Sequence, residues 1–454
     1  MTLINTRTEL INALTEAAEL EHGLLCQYVF AAVTMRQTAD EGITWPQAEL
    51  LRGWKRTLLE VARQEMAHLG TVHNLLTAVG GAPHFMRVNF PQAARHFPAD
   101  APFVLEPFGE PTLRRFMRFE EPTFPVKRPA VPEPAPDPIT YTHVGALYHD
   151  IEAGFTALDD GTLFIGPVAH QDDNAWSRGL HISPVHDLRS AQKAIGFIVK
   201  EGEGAPGHLS GSHYQRFVDA HAALGAATAA DPTFVPGRPV ARNPLTRNHP
   251  DAPEGGHVIT DERTRAVAQL FSVSYETTLM MLSQFYSFGP ETPVQREELR
   301  QATREIMSTV IRPLGEVLTQ LPMGPQYPTL TAGPAFELYG DIHVSTHAEN
   351  AWYVISERLG QHAAAGLALA AEPNAHPRLR LCAENLARLG INLARAAASG
   401  FSSPSPALTR KAVAVRPNSD ALTHADALTH ADALTHPPRA ATARYGSAAL
   451  EPDR

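Results

Sequence analysis

Residues 51–79 read LRGWKRTLLEVARQEMAHLGTVHNLLTAV, a pattern typical of one long amphipathic helix. The apolar stripe of this helix is formed by Leu51, Trp54, Leu58, Val61, Val72, Leu75 and Val79. Glu65 and His68 lie on the same stripe, where a core helix normally carries apolar residues. A carboxylate that stays ionised in such a core costs several kcal/mol unless a cation or hydrogen bonds compensate it. The stretch therefore predicts a helix that carries metal-ligand side chains into a core.

The preceding segment repeats this pattern on another helix. From Thr8 onward, Glu21 lies in the middle of an apolar stripe. The apolar members of that stripe are Leu14, Ala17, Leu24 and Tyr28. The connection over residues 38–46 is short, so the two helices are predicted to lie antiparallel as neighbours. A carboxylate on one helix that faces Glu-x-x-His on the next is half of a di-iron site in a helical bundle.

The types of ligand indicate which metal such a site prefers. Carboxylate oxygen and imidazole nitrogen suit iron or manganese. The chain contains only two cysteines, Cys26 and Cys382, which is too few for a thiolate site and argues against structural zinc. We therefore expect two iron ions, with manganese as the other metal that the ligands accommodate.

A bare Glu-x-x-His is weak evidence, because Glu254 with His257 and Glu19 with His22 also match it. The commoner meaning of this spacing is a solvated pair on an amphipathic helix. The helical register favours a metal site here, since Glu65 and His68 fall on the apolar stripe of their helix and Glu21 falls on the stripe of the neighbouring helix.

The second half of the site has no helical Glu-x-x-His of its own. The candidates for it are Glu152, Glu201, Glu203, His208, His213 and Glu276. Helical register does not choose between Glu201 and Glu203, since both adjoin glycine. For Glu276, exposure on the helix exterior is the commoner expectation. Tyr28 and Tyr275 are candidates either for hydrogen bonding to the metal ligands or for packing alone.

The remaining sequence predicts an all-α protein with long excursions between helices. Further helices are expected at 112–121, 142–158, 187–200, from 212, 261–288, 293–320, 345–371 and 378–399. Residues 83–186 are rich in proline and irregular, and we expect this inserted segment to cover a substrate pocket. Residues 420–436 repeat DALTHA; a disordered tail is favoured there over a His-rich metal site.

Composition excludes several classes of protein. The 48 acidic side chains outnumber the 38 basic ones and give a formal charge of -10, which argues against a general nucleic-acid binder. The start of the chain lacks the pattern of a secretory signal, and no apolar run of membrane-spanning length follows it. We therefore expect a soluble cytoplasmic protein without a membrane partner.

Five separated motifs carry a resemblance to a known family. They are LTEAAELEHGLLCQYVFA, EVARQEMAHLGTVHNLL running into GGAPHF, THVGALYHDIEAGF, AIGFIVKEGEG followed by SHYQRF, and TAGPAFEL. In this order they resemble the ferritin-like domain of the iminophenyl-pyruvate dimer synthase family, which is found in enzymes of violacein and rebeccamycin assembly. The resemblance extends over residues 5–370.

The resemblance implies a set of metal ligands and a class of reaction. The implied ligands are Glu21, Glu65, His68, Glu203 and His213. The resemblance thus favours Glu203 over Glu201, which the helical pattern could not do. Enzymes of this family oxidatively couple two imines derived from aromatic amino acids, but they are much longer than this chain. Fold and metal site therefore transfer from the family better than substrate does.

Together these observations predict a ferritin-like helical bundle with long irregular insertions and additional C-terminal helices. We expect metal-binding helices in residues 1–225, a further bundle helix and accessory helices in 226–400, and the tail in 401–454. The expected function is that of an iron-dependent, non-haem di-iron oxidoreductase of specialised metabolism, which uses dioxygen or peroxide on a small organic substrate such as an amino-acid-derived imine. A non-catalytic iron-binding or storage protein is the alternative, and either protein could form a homo-oligomer.

Overall fold

The computed structural model describes residues 4–92, 101–121, 144–173, 182–202, 211–247 and 255–401. Three residues considered above, Glu203, His208 and Glu254, lie outside the described residues, as does the DALTHA tail. The predicted division of the chain near residue 225 stays a prediction.

Two long helices, α1 (Arg7–Thr34) and α2 (Trp45–Ala78), form the centre of the fold. Thr6 begins α1 by accepting a hydrogen bond from the backbone N–H of Glu9, a regular N-terminal cap. Arg7, at the start of α1, donates a hydrogen bond to the carbonyl of Val79, just after the end of α2, at 3.0 Å. The two helices are therefore antiparallel, as the short connection predicted.

Four shorter helices pack around this pair. They are α3 (Glu110–Phe119), α4 (Val144–Leu158), α5 (Leu188–Glu201) and α6 (His213–Ala230). Helix α4 contacts α1 and α5, whereas α3 packs against α6. Both α5 and α6 also contact α2, which places the ends of these short helices beside the middle of α2.

The C-terminal half adds α7 (Glu262–Tyr286), α8 (Pro293–Ile306), α9 (Arg312–Leu318), α10 (Ala348–Ala371) and α11 (Arg378–Gly400). The single helix predicted over 293–320 is divided by a wider π turn at Met307–Ile311. Pro313 follows that turn, in the first turn of α9, where its missing N–H is tolerated.

The described residues contain only two short strands, β1 (Pro244–Leu245) and β2 (His257–Val258), which pair in parallel. The prediction of an all-α fold with additional C-terminal helices is thus confirmed. None of the helices in the described part of the chain is long and apolar enough to cross a membrane.

Candidate metal centre

Two groups of buried ligand-type side chains meet between the helices. Glu21 of α1 and Glu65 and His68 of α2 form one group, whose candidate ligand atoms lie within 4.8 Å of one another. Nδ1 of His68 lies 2.9 Å from Oε2 of Glu65 and 3.7 Å from Oε2 of Glu21. All three side chains are 0% exposed, although each could have stayed in water on an outer helix face.

The second group consists of Glu65, Glu120 and His213. Nδ1 of His213, the first residue of α6, lies 2.9 Å from Oε1 of Glu65 and 3.5 Å from Oε2 of Glu120. Glu65 belongs to both groups, and its two carboxylate oxygens face different histidines. This arrangement fits a carboxylate that bridges two cations.

Glu120, which follows α3, was missed in the sequence analysis. It lies seven residues after Leu113 and four after Phe116, so it occupies the apolar stripe of its helix as Glu21 does. The same criterion could therefore have found it. The inserted segment 83–186 was expected only to cover a pocket, but the residue at the end of α3 also contributes to the candidate metal centre.

Tyrosine hydroxyls hold the outer carboxylates of both groups. Tyr28 donates a hydrogen bond to Oε1 of Glu120 at 2.5 Å, and Tyr148 of α4 donates one to Oε1 of Glu21. In each case the other oxygen of the carboxylate faces a histidine. Such outer hydrogen bonds fix the orientation of metal ligands. Tyr28 also packs edge-on against Phe116, so both roles considered for it are present.

The close packing of these groups shifts their pKa values. Burial raises the pKa of Glu21 to about 8, and the charge of Glu65 adds to this effect. Burial opposes the charge on His213, but the neighbouring Glu65 and Glu120 raise the pKa of its imidazole to about 9. Burial would raise the pKa of Glu65, yet the cationic His213 and His68 lower it well below its ordinary value. These shifts favour the protonated forms of Glu21 and His213 in the metal-free cluster, and metal binding would release protons from it.

The oxygen and nitrogen atoms of these side chains are arranged better for binding a metal than for hydrogen bonding to one another. Several buried atoms that could bind a metal have no hydrogen-bond partner. They are Oε2 of Glu21, Oε1 of Glu65, Oε2 of Glu120, Oε2 of Glu201 and both ring nitrogens of His213. Two ligand atoms bound at right angles to one small ion at about 2.1 Å lie about 3 Å apart. The contacts of Glu65 with the two histidines, both 2.9 Å, match that spacing. A buried group that lacks hydrogen bonds is costly, and a bound cation would remove that cost.

Gly202, directly after α5, gives the centre room. A Cβ atom at this position would lie 3.0 Å from Nδ1 of His213 and 3.2 Å from Oε2 of Glu120. Glu201 precedes it, and its Oε2 lies 3.6 Å from Nε2 of His68. The end of α5 therefore reaches the centre, but the choice of Glu203 over Glu201 stays a prediction, since Glu203 lies outside the described residues.

The other candidates lie elsewhere. Glu152 is half-buried on α4 and belongs to neither ligand group. The expectation that Glu276 is exposed is wrong: it is buried, and its carboxylate accepts a hydrogen bond from the backbone N–H of Tyr339, which compensates part of the cost of burial. His22 contacts Tyr275, and Glu19 pairs with His84, so their Glu-x-x-His spacing does not form a site.

Residues 14–220 match a family model described as Ferritin-like. The chain carries a ferritin-like domain. The ligand groups described above lie within this ferritin-like region, on α1, α2 and α6 and directly after α3.

Two curated proteins are similar to this chain at about the same level of identity. Dichlorochromopyrrolate synthase of Lentzea aerocolonigenes is 30% identical over 378 residues, which cover 74% of this chain and 36% of the relative. The 2-imino-3-(indol-3-yl)propanoate dimerase of Chromobacterium violaceum is 31% identical over 361 residues, covering 73% of this chain and 34% of the relative. These similarities confirm the resemblance predicted from the five motifs. The match spans about a third of the length of each relative.

A solved structure of a ferritin-like protein from Caulobacter vibrioides is 21% identical to the chain, with a TM-score of 0.44. That alignment covers 69% of this chain and 97% of the solved one.

Proposed function

We propose that the chain is an iron-dependent, non-haem di-iron oxidoreductase that acts on a small imine derived from an aromatic amino acid. The observation that carries the proposal is the position of Glu65, buried and shared between two ligand groups. The names of the two relatives, a synthase and a dimerase, support an enzyme of specialised metabolism over the storage alternative.

The proposed ligands divide into two sets around this bridge. Glu21, Glu65 and His68 would hold one iron, and Glu65, Glu120 and His213 the other. Glu201 at the end of α5, or Glu203 as the family resemblance implies, would complete the ligands. Each set leaves coordination positions open, as an oxidant needs. Manganese is the other metal that these ligands accommodate.

Bound iron would supply the one-electron steps that link reduction of the oxidant to oxidation of the substrate. Joining two imine molecules through one new carbon–carbon bond removes two electrons and two protons in all. Hydrogen peroxide accepts them to give two waters, and dioxygen accepts them to give hydrogen peroxide. The protein's own share is to keep the centre dry and its ligands fixed, which the buried carboxylates and the hydroxyls of Tyr28 and Tyr148 do.

Metal stoichiometry tests the site directly. The full chain is loaded with ferrous iron under anaerobic conditions and desalted, and its iron is measured by elemental analysis. We expect about two irons per chain, as a bridged pair of sites requires. His68→Ala and His213→Ala should each lower the content, whereas Glu65→Ala should abolish both sites. Glu60→Ala, an exposed carboxylate on the same helix α2, is the matched control and should keep full loading.

The outcomes separate the alternatives. One iron that survives His213→Ala would indicate a mononuclear centre at His68. Loading that is equal in wild type and Glu65→Ala would contradict the proposed centre. Many irons per chain, deposited as a mineral, would support storage instead of catalysis.

Activity is tested with imines made in place. An L-amino-acid oxidase acting on L-tryptophan supplies both the imine and hydrogen peroxide. Mass spectrometry then searches for a product with twice the mass of the imine less two hydrogens. This product should appear with the iron-loaded chain and not with Glu65→Ala. The loaded chain could instead form no such product and yet consume peroxide when other aromatic imines are present. That result would contradict the proposed coupling and would favour the tailoring of a single imine molecule.

A further inference from the structure

Arg87 is a buried cation in the segment after α2. Its side chain is 4% exposed. Nη1 donates a hydrogen bond to the carbonyl of Val88 at 3.0 Å, and Nη2 donates one to the carbonyl of Phe336. The guanidinium carbon lies 4.4 Å from the centre of the Phe90 ring. These contacts fix the plane of the guanidinium group but do not neutralise its charge.

No carboxylate in the described part of the chain forms an ion pair with Arg87, and its buried Nε has no hydrogen-bond partner. The two other arginines that are buried among the described residues differ in this respect. Arg238 pairs with Glu41, and Arg300 pairs with Glu297 at 2.7 Å. A buried charge without a partner is costly, and proteins generally pair it. Arg87 is therefore suited to an anion that the described residues do not supply.

Neighbouring side chains connect Arg87 to helix α1. Tyr275 of α7 lies beside Arg87, and its hydroxyl contacts Nε2 of His22. His22 directly follows the candidate ligand Glu21 on α1. Phe336 packs against the Tyr275 ring with a centroid distance of 5.1 Å. An anion on Arg87 would thus lie among aromatic rings, beside the helix that carries Glu21.

We propose that Arg87 binds the carboxylate of a small aromatic 2-imino or 2-oxo acid and holds that acid beside helix α1, the helix that carries the candidate ligand Glu21. The planar guanidinium can donate two parallel hydrogen bonds to a carboxylate, and the surrounding rings suit an aromatic side chain. The choice of this substrate class rests on the proposed function, but the binding of an aromatic carboxylate by Arg87 does not. A purely structural Arg87, which only joins its own segment to the Phe336 carbonyl, is the competing explanation.

Binding of a stable analogue distinguishes the two. Calorimetry measures the affinity of the iron-loaded full chain for 3-(indol-3-yl)propanoate and for its neutral amide. The carboxylate should bind at least about tenfold more tightly, because hydrogen bonds to a charged group are the stronger ones. Arg87→Gln should remove this preference. The exposed Arg63→Gln on α2 is the matched control and should retain it.

Glu65→Ala separates this inference from the metal centre. If Arg87 holds the carboxylate, the preference persists in Glu65→Ala, even when that variant carries no iron. A preference that is lost in Glu65→Ala and kept in Arg87→Gln would assign the carboxylate to the metal and overturn the role of Arg87. A wild-type chain that loads no iron but prefers the carboxylate through Arg87 would contradict the proposed function alone.

Folding of the variants is checked by circular dichroism. Arg87→Lys tests whether a positive charge without the planar guanidinium is enough to bind the carboxylate. We expect Arg87→Lys to bind the carboxylate more weakly than wild type does. If neither Arg87 variant folds, thermal denaturation of Glu65→Ala with each probe decides the question. Stabilisation by the carboxylate and not by the amide supports the proposal, and equal effects of the two overturn it.

Discussion

Tyr28 donates its phenolic hydrogen to Glu120 at 2.5 Å and so joins α1 to the residue that follows α3, across 92 positions of sequence. The bond leaves the other oxygen of Glu120 facing His213. Because such a hydrogen bond fixes the orientation of a metal ligand, we expect Tyr28 to support the second ligand group.

We expect Tyr28→Phe to weaken metal binding at the second ligand group by about 10–100-fold, the usual effect of losing such a partner. The first group, around His68, should keep its affinity. A two-step ferrous titration followed by dialysis and elemental analysis measures both sites. Tyr327→Phe, half-buried outside the centre, is the control. Equal weakening of both sites would mean that the hydroxyl supports the fold and not Glu120 in particular.

The space at Gly202 gives a second prediction. Its Cβ would come within 3.0 Å of Nδ1 of His213, tighter than ordinary contacts. Gly202→Ala should therefore displace the imidazole by a few tenths of an ångström and lower iron loading at the second group. Gly196→Ala on α5 is the matched control, because nothing lies within 4 Å of its Cβ position. That change should keep full loading and stabilise the helix by roughly 0.5–1 kcal/mol. Unchanged loading of Gly202→Ala would contradict the expectation that this displacement weakens the second group.

The sequence allowed most of the helices and four of the five residues of the candidate centre to be predicted, and the reasons differ by residue. Glu21, Glu65 and His68 sit on long helices, where many turns define the apolar stripe and make a carboxylate on it conspicuous. Glu120 adjoins α3, a helix of 10 residues within a proline-rich insert, where few turns define a stripe. His213 is the first residue of its helix, so no periodic pattern precedes it and only the resemblance singled it out.

One contact between the C-terminal helices and α2 could not be predicted from helical pattern, since it is made by a buried charged side chain. Glu316 of α9 is buried and accepts a hydrogen bond from Lys55 of α2 at 2.8 Å and one from Arg378 of α11 at 2.8 Å. Glu316→Ala should destabilise the fold by about 3–5 kcal/mol, because Lys55 would be left buried without its anion. Urea unfolding measures the change.

The exposed pair of Arg52 with Glu49, 2.9 Å apart on α2, provides the comparison for Glu316. Glu49→Ala should change the free energy of unfolding little, since solvent already screens that pair. Similar losses of unfolding free energy in the two variants would contradict the expectation that the buried network around Glu316 contributes more to stability than an exposed ion pair.

His73 should make the free energy of unfolding fall as the pH is lowered. Its Nδ1 donates to the carbonyl of Leu69 at 2.8 Å, and its Nε2 accepts the backbone N–H of His84 at 3.2 Å, so the folded protein holds a neutral ring. Burial lowers the pKa of His73 from its ordinary 6.5 to about 4. The unfolded chain therefore takes up a proton at a pH where the folded chain does not.

The contribution of His73 is fully present above pH 6.5 and is lost as pH falls toward 4, at roughly 1 kcal/mol for each pH unit. Urea unfolding of wild type and His73→Gln at pH 7.5, 6 and 5 isolates the effect, because the other titrating groups are common to both proteins and cancel in the difference. The wild type should lose its advantage over the variant as the pH falls. A difference that stays constant from pH 7.5 to pH 5 would mean that the folded protein accommodates a protonated ring at position 73.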